Sequence, residues 1–175
     1  MIEIKIIDRD NSRDINLPNE PFSEFGRVLV TYREGRWSYE ISRYEDDKII
    51  SVCFPDEHYD PAAMSDSVFI GAYDGDACVG LAVLQPGFLK YAYLSDLKVS
   101  AGYRRRNIGR MLIERAGELS KDMGFLGLYA YVQDNNPGAF MFYLNSGFYI
   151  GGLDTNLYRH TKQEGKSDII VYCEC

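Results

Sequence analysis

The sequence predicts a mixed α/β fold. Runs of β-branched and aromatic residues with period-two alternation fill much of the first hundred residues. The apolar period switches to a helical one at Ile108, and two helical stretches then alternate with strand-like runs to the end of the chain. No repeat, low-complexity tract or long Pro/Gly/Ser linker interrupts the 175 residues, so a single domain over 1–175 is expected.

"IEIKII" (2–7) alternates and is rich in isoleucine, which predicts a first strand. Residues 8–21 hold Asn11, Asn16, Pro18, Asn19 and Pro21, the chemistry of a loop. "GRVLVTYREGRWSYEISRY" (26–44) reads as two strands around "REGR", and "DDKIISVCF" (46–54) as a further extended piece. A second hairpin is predicted over 67–73 and 77–84, with Asp74-Gly75-Asp76 as its turn. "KYAYLSDLKVS" (90–100) follows as a strand, and simple alternation puts Tyr91, Tyr93, Ser95, Leu97 and Val99 on one face.

From there Ile108, Met111, Leu112, Ala116 and Leu119 recur at helical spacing, with Gly124 as the stop. "FLGLYAYV" (125–132) reads as a buried strand. "NPGAFMFYLNSGF" (136–148) places Ala139, Phe142 and Tyr143 on one helical face, with Pro137 early in the helix and Gly147 at its end. "SDIIVYCEC" (167–175) closes as a strand. The expected order is thus strand, helix, strand, helix, strand following an N-terminal antiparallel meander.

Charge and composition bound the function. The net charge of −7 argues against general binding to nucleic acid or an anionic membrane, and permits a cationic small-molecule partner. The N-terminus is charged within its first five residues, and the longest apolar stretch, 125–132, is too short to span a bilayer. A cytoplasmic protein is expected. Cys53, Cys78, Cys173 and Cys175 lack ligand or disulfide-framework spacing, so no metal is expected and the thiols read as reduced. The competing reading joins "CEC" to His58 or His160 in a metal site.

One loop departs from the acidic background. "VSAGYRRRNIGRML" (99–112) gathers four arginines between a strand and a helix. A strand running through a Gly/Asn turn into a helix aims backbone N–H groups at one point, and the helix dipole adds positive charge there. Arg110 in the first helical turn opposes that dipole, a conflict that a bound anion relieves. A solvated basic turn is the alternative. Neither a Walker loop nor G-x-G-x-x-G is present.

Together, "LKVSAGYRRRNIGRMLIERA" and "NPGAFMFYLNSGF" resemble the GNAT superfamily of N-acetyltransferases, over residues 67 to 150. In that family's loop, written Q/R-x-x-G-x-G/A, Arg104 opens the motif and Gly109 ends it, with Asn107 where a glycine is usual. Asparagine tolerates positive φ best after glycine, so the departure is mild. The resemblance implies a central, mostly antiparallel, splayed sheet flanked by helices, with acetyl-CoA between the 93–99 and 126–132 strands. It implies that the backbone of Leu97, Lys98 and Val99 pairs with the pantetheine arm. The N–H groups of Arg105, Arg106, Asn107, Ile108, Gly109 and Arg110 would hold the pyrophosphate, and Asn136, Ala139, Phe142 and Tyr143 would face the thiol end. Tyr143 would protonate the departing sulfur and Asp96 would serve as general base, its aim depending on a bulge in the strand.

The outer segments, with "EPF…G", Trp37 and "GFYIGGLDTNLY", resemble the streptothricin acetyltransferases of that superfamily. The implied acceptor is the β-lysine amine of a polycationic antibiotic, and the implied role is antibiotic resistance. Glu34, Trp37, Tyr39, Glu40 and Asp154 are the candidates to line its cleft through charge pairing and cation–π contact. Trp37 and Tyr39 read equally as packing residues of their hairpin. The alternatives are another amine, such as a polyamine or a peptide N-terminus, or a non-catalytic acyl-CoA sensor. Nucleotide binding at the arginine loop is a third. The closing strand also offers a route to a homodimer.

Overall fold

A computed structural model describes residues 1–60, 62 and 65–175. In chain order its elements are β1 (Ile2–Ile6), β2 (Phe22–Glu24), β3 (Gly26–Arg33), β4 (Arg36–Arg43), β5 (Ile50–Val52), β6 (Val68–Asp74), β7 (Ala77–Gln85), β8 (Tyr91–Val99), α1 (Ile108–Asp122), β9 (Gly127–Gln133), α2 (Pro137–Asn145), β10 (Tyr149–Asp154) and β11 (Asp168–Glu174). Two units, interleaved in sequence, pack as compact bodies. One holds Met1–Glu20, Phe54–Tyr129 and Glu174–Cys175, the other Pro21–Cys53 and Ala130–Cys173.

The first unit is built on antiparallel pairs β1–β6, β6–β7 and β7–β8. The hairpin between β6 and β7 turns at Gly75, whose φ of 61° is the left-handed conformation that such a turn demands. β8 and the start of β9 run parallel, paired only at Tyr91–Gly127, Ala92–Leu128 and Tyr93–Tyr129. β6, β7 and β8 form the predicted antiparallel meander, and β1 joins it across the chain by pairing with β6.

Each face of this unit has its own core. α1 packs on β1, β6, β7 and β8, burying Ile108, Leu112 and Ala116. Gly80 makes that approach close: a Cβ there would lie 3.2 Å from Leu112 Cδ1 and 3.3 Å from Ile108 Cγ2. On the opposite face Ile7, Ile15, Phe69, Tyr73, Leu81 and Val83 form a buried cluster. Each such aliphatic or phenylalanine side chain contributes about 1.5–3 kcal/mol by leaving water. Tyr59 packs edge-on to Phe69 at 5.1 Å, and its backbone is clamped by Asn16, whose Nδ2 donates to Tyr59 O and whose Oδ1 accepts from Tyr59 N.

β8 carries a bulge that the sequence reading left open. Leu84 pairs with Leu94, but Val83 pairs with Asp96, so Ser95 is the extra residue. The Ser95 hydroxyl donates to Val83 O at 3.3 Å. Simple alternation therefore fails at this point. Leu97 shares the face of Ala82 and Leu84, the α1 side, whereas Asp96 and Lys98 share the opposite face of Val83 and Leu81 with Tyr93. The expected single stripe of Tyr91, Tyr93, Ser95, Leu97 and Val99 is corrected accordingly.

In the second unit β3 and β4 pair throughout, with Arg33 opposite Arg36 across a two-residue turn. Glu34 (φ 50°) and Gly35 (φ 78°) both adopt left-handed conformations there, as a hairpin of this length requires. β2 pairs with β5, and β11 lies between β9 and β10. α2 packs on β2 and β3. β3 is also tied to the residues after β9: Val28 N donates to Asp134 O at 2.8 Å, Arg27 pairs with the Asp134 carboxylate, and Asn135 Nδ2 donates to Glu24 Oε2 at 2.6 Å.

β10 was not predicted. Gly151 and Gly152 dilute its strand signal, yet both serve packing: a Cβ on Gly151 would sit 2.3 Å from the Tyr172 ring, and one on Gly152 3.0 Å from Ile170 Cδ1. The pairing with β11 shifts register between Ile150 and Gly152.

Candidate active site

The anion-binding features of the arginine loop are built from its backbone. Residues 101–103 form a short 3₁₀ turn, and the chain then takes left-handed conformations at Arg105 (φ 61°) and Asn107 (φ 65°) before α1 begins. Asn107 caps the helix without a side-chain bond to it. Met111 is the first residue whose N–H closes onto the loop, at Asn107 O. The N–H groups of Ile108, Gly109 and Arg110 thus lie in the helix turn that has no acceptor of its own, at the positive end of the dipole.

The arginine side chains have other tasks. Arg104 Nε donates to Val99 O at 3.0 Å, tying the loop to the end of β8. Arg106 lies 4.9 Å from the Tyr103 ring centroid, and Tyr103 donates to Asp74. Arg110 pairs with Glu114 one turn along, at 3.6 Å. Arg105 is exposed. No acidic residue stands in the first turn of α1 to neutralise this charge.

On the other face of β8, away from α1, stands a charged cluster. Lys98 Nζ is 2.9 Å from Asp96 Oδ2 and 2.6 Å from Glu57 Oε2. The side chains of Asp96 and Lys98 are only 12% and 11% exposed. Tyr59 and the Asp96 carboxylate interact electrostatically. Burial raises the Asp96 pKa to about 6, with Lys98 pulling it down and Glu57 pushing it up. Burial disfavours the Lys98 ammonium, but Asp96 and Glu57 outweigh it and hold its pKa above the ordinary value. Burial, and then the nearby carboxylates, push the Tyr59 hydroxyl up as well, so it remains a proton donor at neutral pH. Tyr93 stacks on Tyr129 at 4.9 Å. Sequence reasoning missed Glu57 and Tyr59, which lie in a loop without periodicity. Its only signal was a carboxylate and an aromatic two residues apart.

The remaining predicted residues belong to the second unit. Asn136 caps α2, its side chain accepting from Ala139 N at 3.0 Å, and Pro137 occupies the first helical position. Phe140 and Tyr143 form the buried face of the helix, with Ala139 and Phe142 half-buried beside them. The Tyr143 ring meets Phe142 at 5.6 Å and Phe148 at 5.0 Å, both edge-on. Trp37 packs against Tyr32 at 4.7 Å and Tyr39 against Phe140 at 4.9 Å, so both also serve the packing reading. Glu34 and Glu40 are exposed. The Asp154 carboxylate accepts from the N–H groups of Asn156 and Leu157, which makes it the cap of a turn. The structure brings Asp96 and Lys98 together, and separately gathers Asn136, Ala139, Phe142 and Tyr143 on one short helix.

The model of the acetyltransferase (GNAT) family matches residues 29–148. Streptothricin acetyltransferase A of Bacillus subtilis (strain 168) is 33% identical over 170 residues, covering 93% of this chain and 94% of that protein. The streptothricin acetyltransferase of Streptomyces lavendulae is 32% identical over 108 residues, 62% of this chain and 57% of that protein. Among solved structures, a Bacillus anthracis protein in complex with acetyl coenzyme A superposes with a TM-score of 0.87 at 21% identity, covering 100% of this chain and 99% of its own. A nourseothricin acetyltransferase gives 0.82 at 23% identity, covering 99% and 98%; both structures attest the fold. The chain belongs to the GNAT family of acetyltransferases.

Proposed function

We propose that this enzyme transfers the acetyl group of acetyl-CoA to the β-lysine amine of streptothricin, and so confers resistance to that antibiotic in the cytoplasm. The observation that carries the reading is the 33% identity with the Bacillus subtilis enzyme along almost the full length of both chains. Acetyl-CoA suits the residues present. The loop offers donor N–H groups from Arg105 to Arg110 to a pyrophosphate, and the backbone of Leu97, Lys98 and Val99 offers the pantetheine arm an edge to pair with. Asn136, Ala139 and Phe142 serve the thiol end in this reading.

Acetyl-CoA supplies an acetyl thioester. Asp96 accepts a proton from the acceptor's ammonium, leaving a lone pair that forms the new C–N bond to the acetyl carbon. As the C–S bond breaks, the Tyr143 hydroxyl protonates the sulfur and regains its proton from the acylated nitrogen through solvent. The products are the amide, the CoA thiol and one proton. Glu34, Trp37, Tyr39, Glu40 and Asp154 are proposed to contact the cationic acceptor.

Mass-resolved acetylation of streptothricin, set beside spermidine, kanamycin and peptide N-termini, tests donor, acceptor and stoichiometry at once. A gain of one acetyl group on streptothricin is expected. Thiol release with another amine and none with streptothricin overturns the substrate; acetyl-CoA binding without turnover on any amine favours a sensor.

A further inference from the structure

Lys98 and Asp96 lie two residues apart on β8 and share a face only beyond the bulge at Ser95. A lysine so placed ordinarily extends its four-carbon stem into water. Here it stays 11% exposed, because Glu57, 41 positions earlier in the chain, holds the ammonium at 2.6 Å from the far side. Glu57 is itself fixed: Asn19 Nδ2 donates to the same Oε2 at 3.0 Å. The charged groups at Asp96 are therefore Lys98 and, beyond it, Glu57, with Tyr59 and the Leu97 N–H also acting on it electrostatically.

We infer that Lys98 and Glu57 are positioning residues for the general base: Glu57 anchors the Lys98 ammonium, and the ammonium keeps the buried Asp96 ionised and aimed on the face of β8 away from α1. The inference rests on the reading of Asp96 as that base. The physical need is plain. A carboxylate out of water and near a second carboxylate would hold its proton at neutral pH, and a protonated Asp96 cannot take another. One ammonium between two carboxylates lets the first ionise, and the second keeps the ammonium from swinging out. An opposite charge within about 4–6 Å moves a carboxyl pKa by roughly 1–3 units.

The two partners therefore pull Asp96 in opposite directions, which a purely structural role would not do. Lys98→Met is expected to move the acid limb of kcat/KM to higher pH. For a two-unit move the rate at pH 7 falls about tenfold and recovers near pH 9, and Lys98→Arg restores the original limb. Glu57→Gln, which keeps a hydrogen-bond acceptor and removes a charge, is expected to move the limb to lower pH. The carboxyl resonance of Asp96, titrated by 13C NMR in the same variants, follows the group without relying on turnover. An unmoved limb and resonance in Lys98→Met, or an unmoved limb in Glu57→Gln, overturns the inference. If Lys98→Met fails to fold, a limb in Glu57→Gln that stays at its wild-type position overturns it and a displaced one supports it. Asp96→Asn with wild-type kcat sinks the base assignment alone, and the NMR titration still judges the electrostatics.

Discussion

At the scale of single residues, the arginine loop, proposed to hold the pyrophosphate, depends on two positions of different kinds. Asn107 is held at φ 65°, where glycine is at ease and asparagine tolerated. Asn107→Gly should thus leave acetyl-CoA affinity within about twofold of wild type. Gly109 lies in the first turn of α1, among N–H groups proposed to face the pyrophosphate, and Gly109→Val puts a branched side chain among them. Calorimetric titration with acetyl-CoA should show binding lost in the second variant and kept in the first. As the proposed general base, Asp96 is expected to set the pH response. Its carboxyl, pushed up to about 6 by burial, acts only when ionised, so kcat/KM should rise as pH passes upward through about 6 and then level off. Asp96→Asn should lower kcat by about 10²–10⁴-fold, the usual weight of general-base catalysis, and remove that limb. A wild-type limb in Asp96→Asn assigns it to another group.

Elements were legible in proportion to how local their signals are. α1 announces itself through Ile108, Leu112 and Ala116 on one face, and it ends at Asp122 with Gly124 in the left-handed conformation (φ 86°). α2 follows its Asn136-Pro137 start and ends before Gly147 (φ 93°). β10 escaped notice because its glycines read as loop, whereas their purpose lies on the neighbouring strand. Gly151→Ala would drive a Cβ into the Tyr172 ring and should cost about 1–3 kcal/mol through overpacking. A thermal melt that is unchanged would mean the β10–β11 pairing yields without strain. β8 is the opposite case: its residues were correctly read as a strand, but its faces were not, since a bulge exists only relative to a partner's register.

Charge is a property of the whole molecule. A protein of net charge −7 attracts a polycation, and this attraction is screened by salt. Raising ionic strength from about 0.05 to 0.5 M, which shortens the screening length from over 10 Å to under 5 Å, should raise KM for streptothricin several-fold. A KM indifferent to salt would assign acceptor recognition to buried contacts instead. The sequence by itself determined the mixed α/β class, the order of most elements and the arginine loop. Each of those rests on residues close together in the chain, where propensity, capping and period are written locally. Only the tertiary structure decided the direction Asp96 faces, the pairing of Lys98 with Glu57, and the partner of β1. Register and desolvation arise when segments distant in sequence meet, and no single stretch of residues carries them.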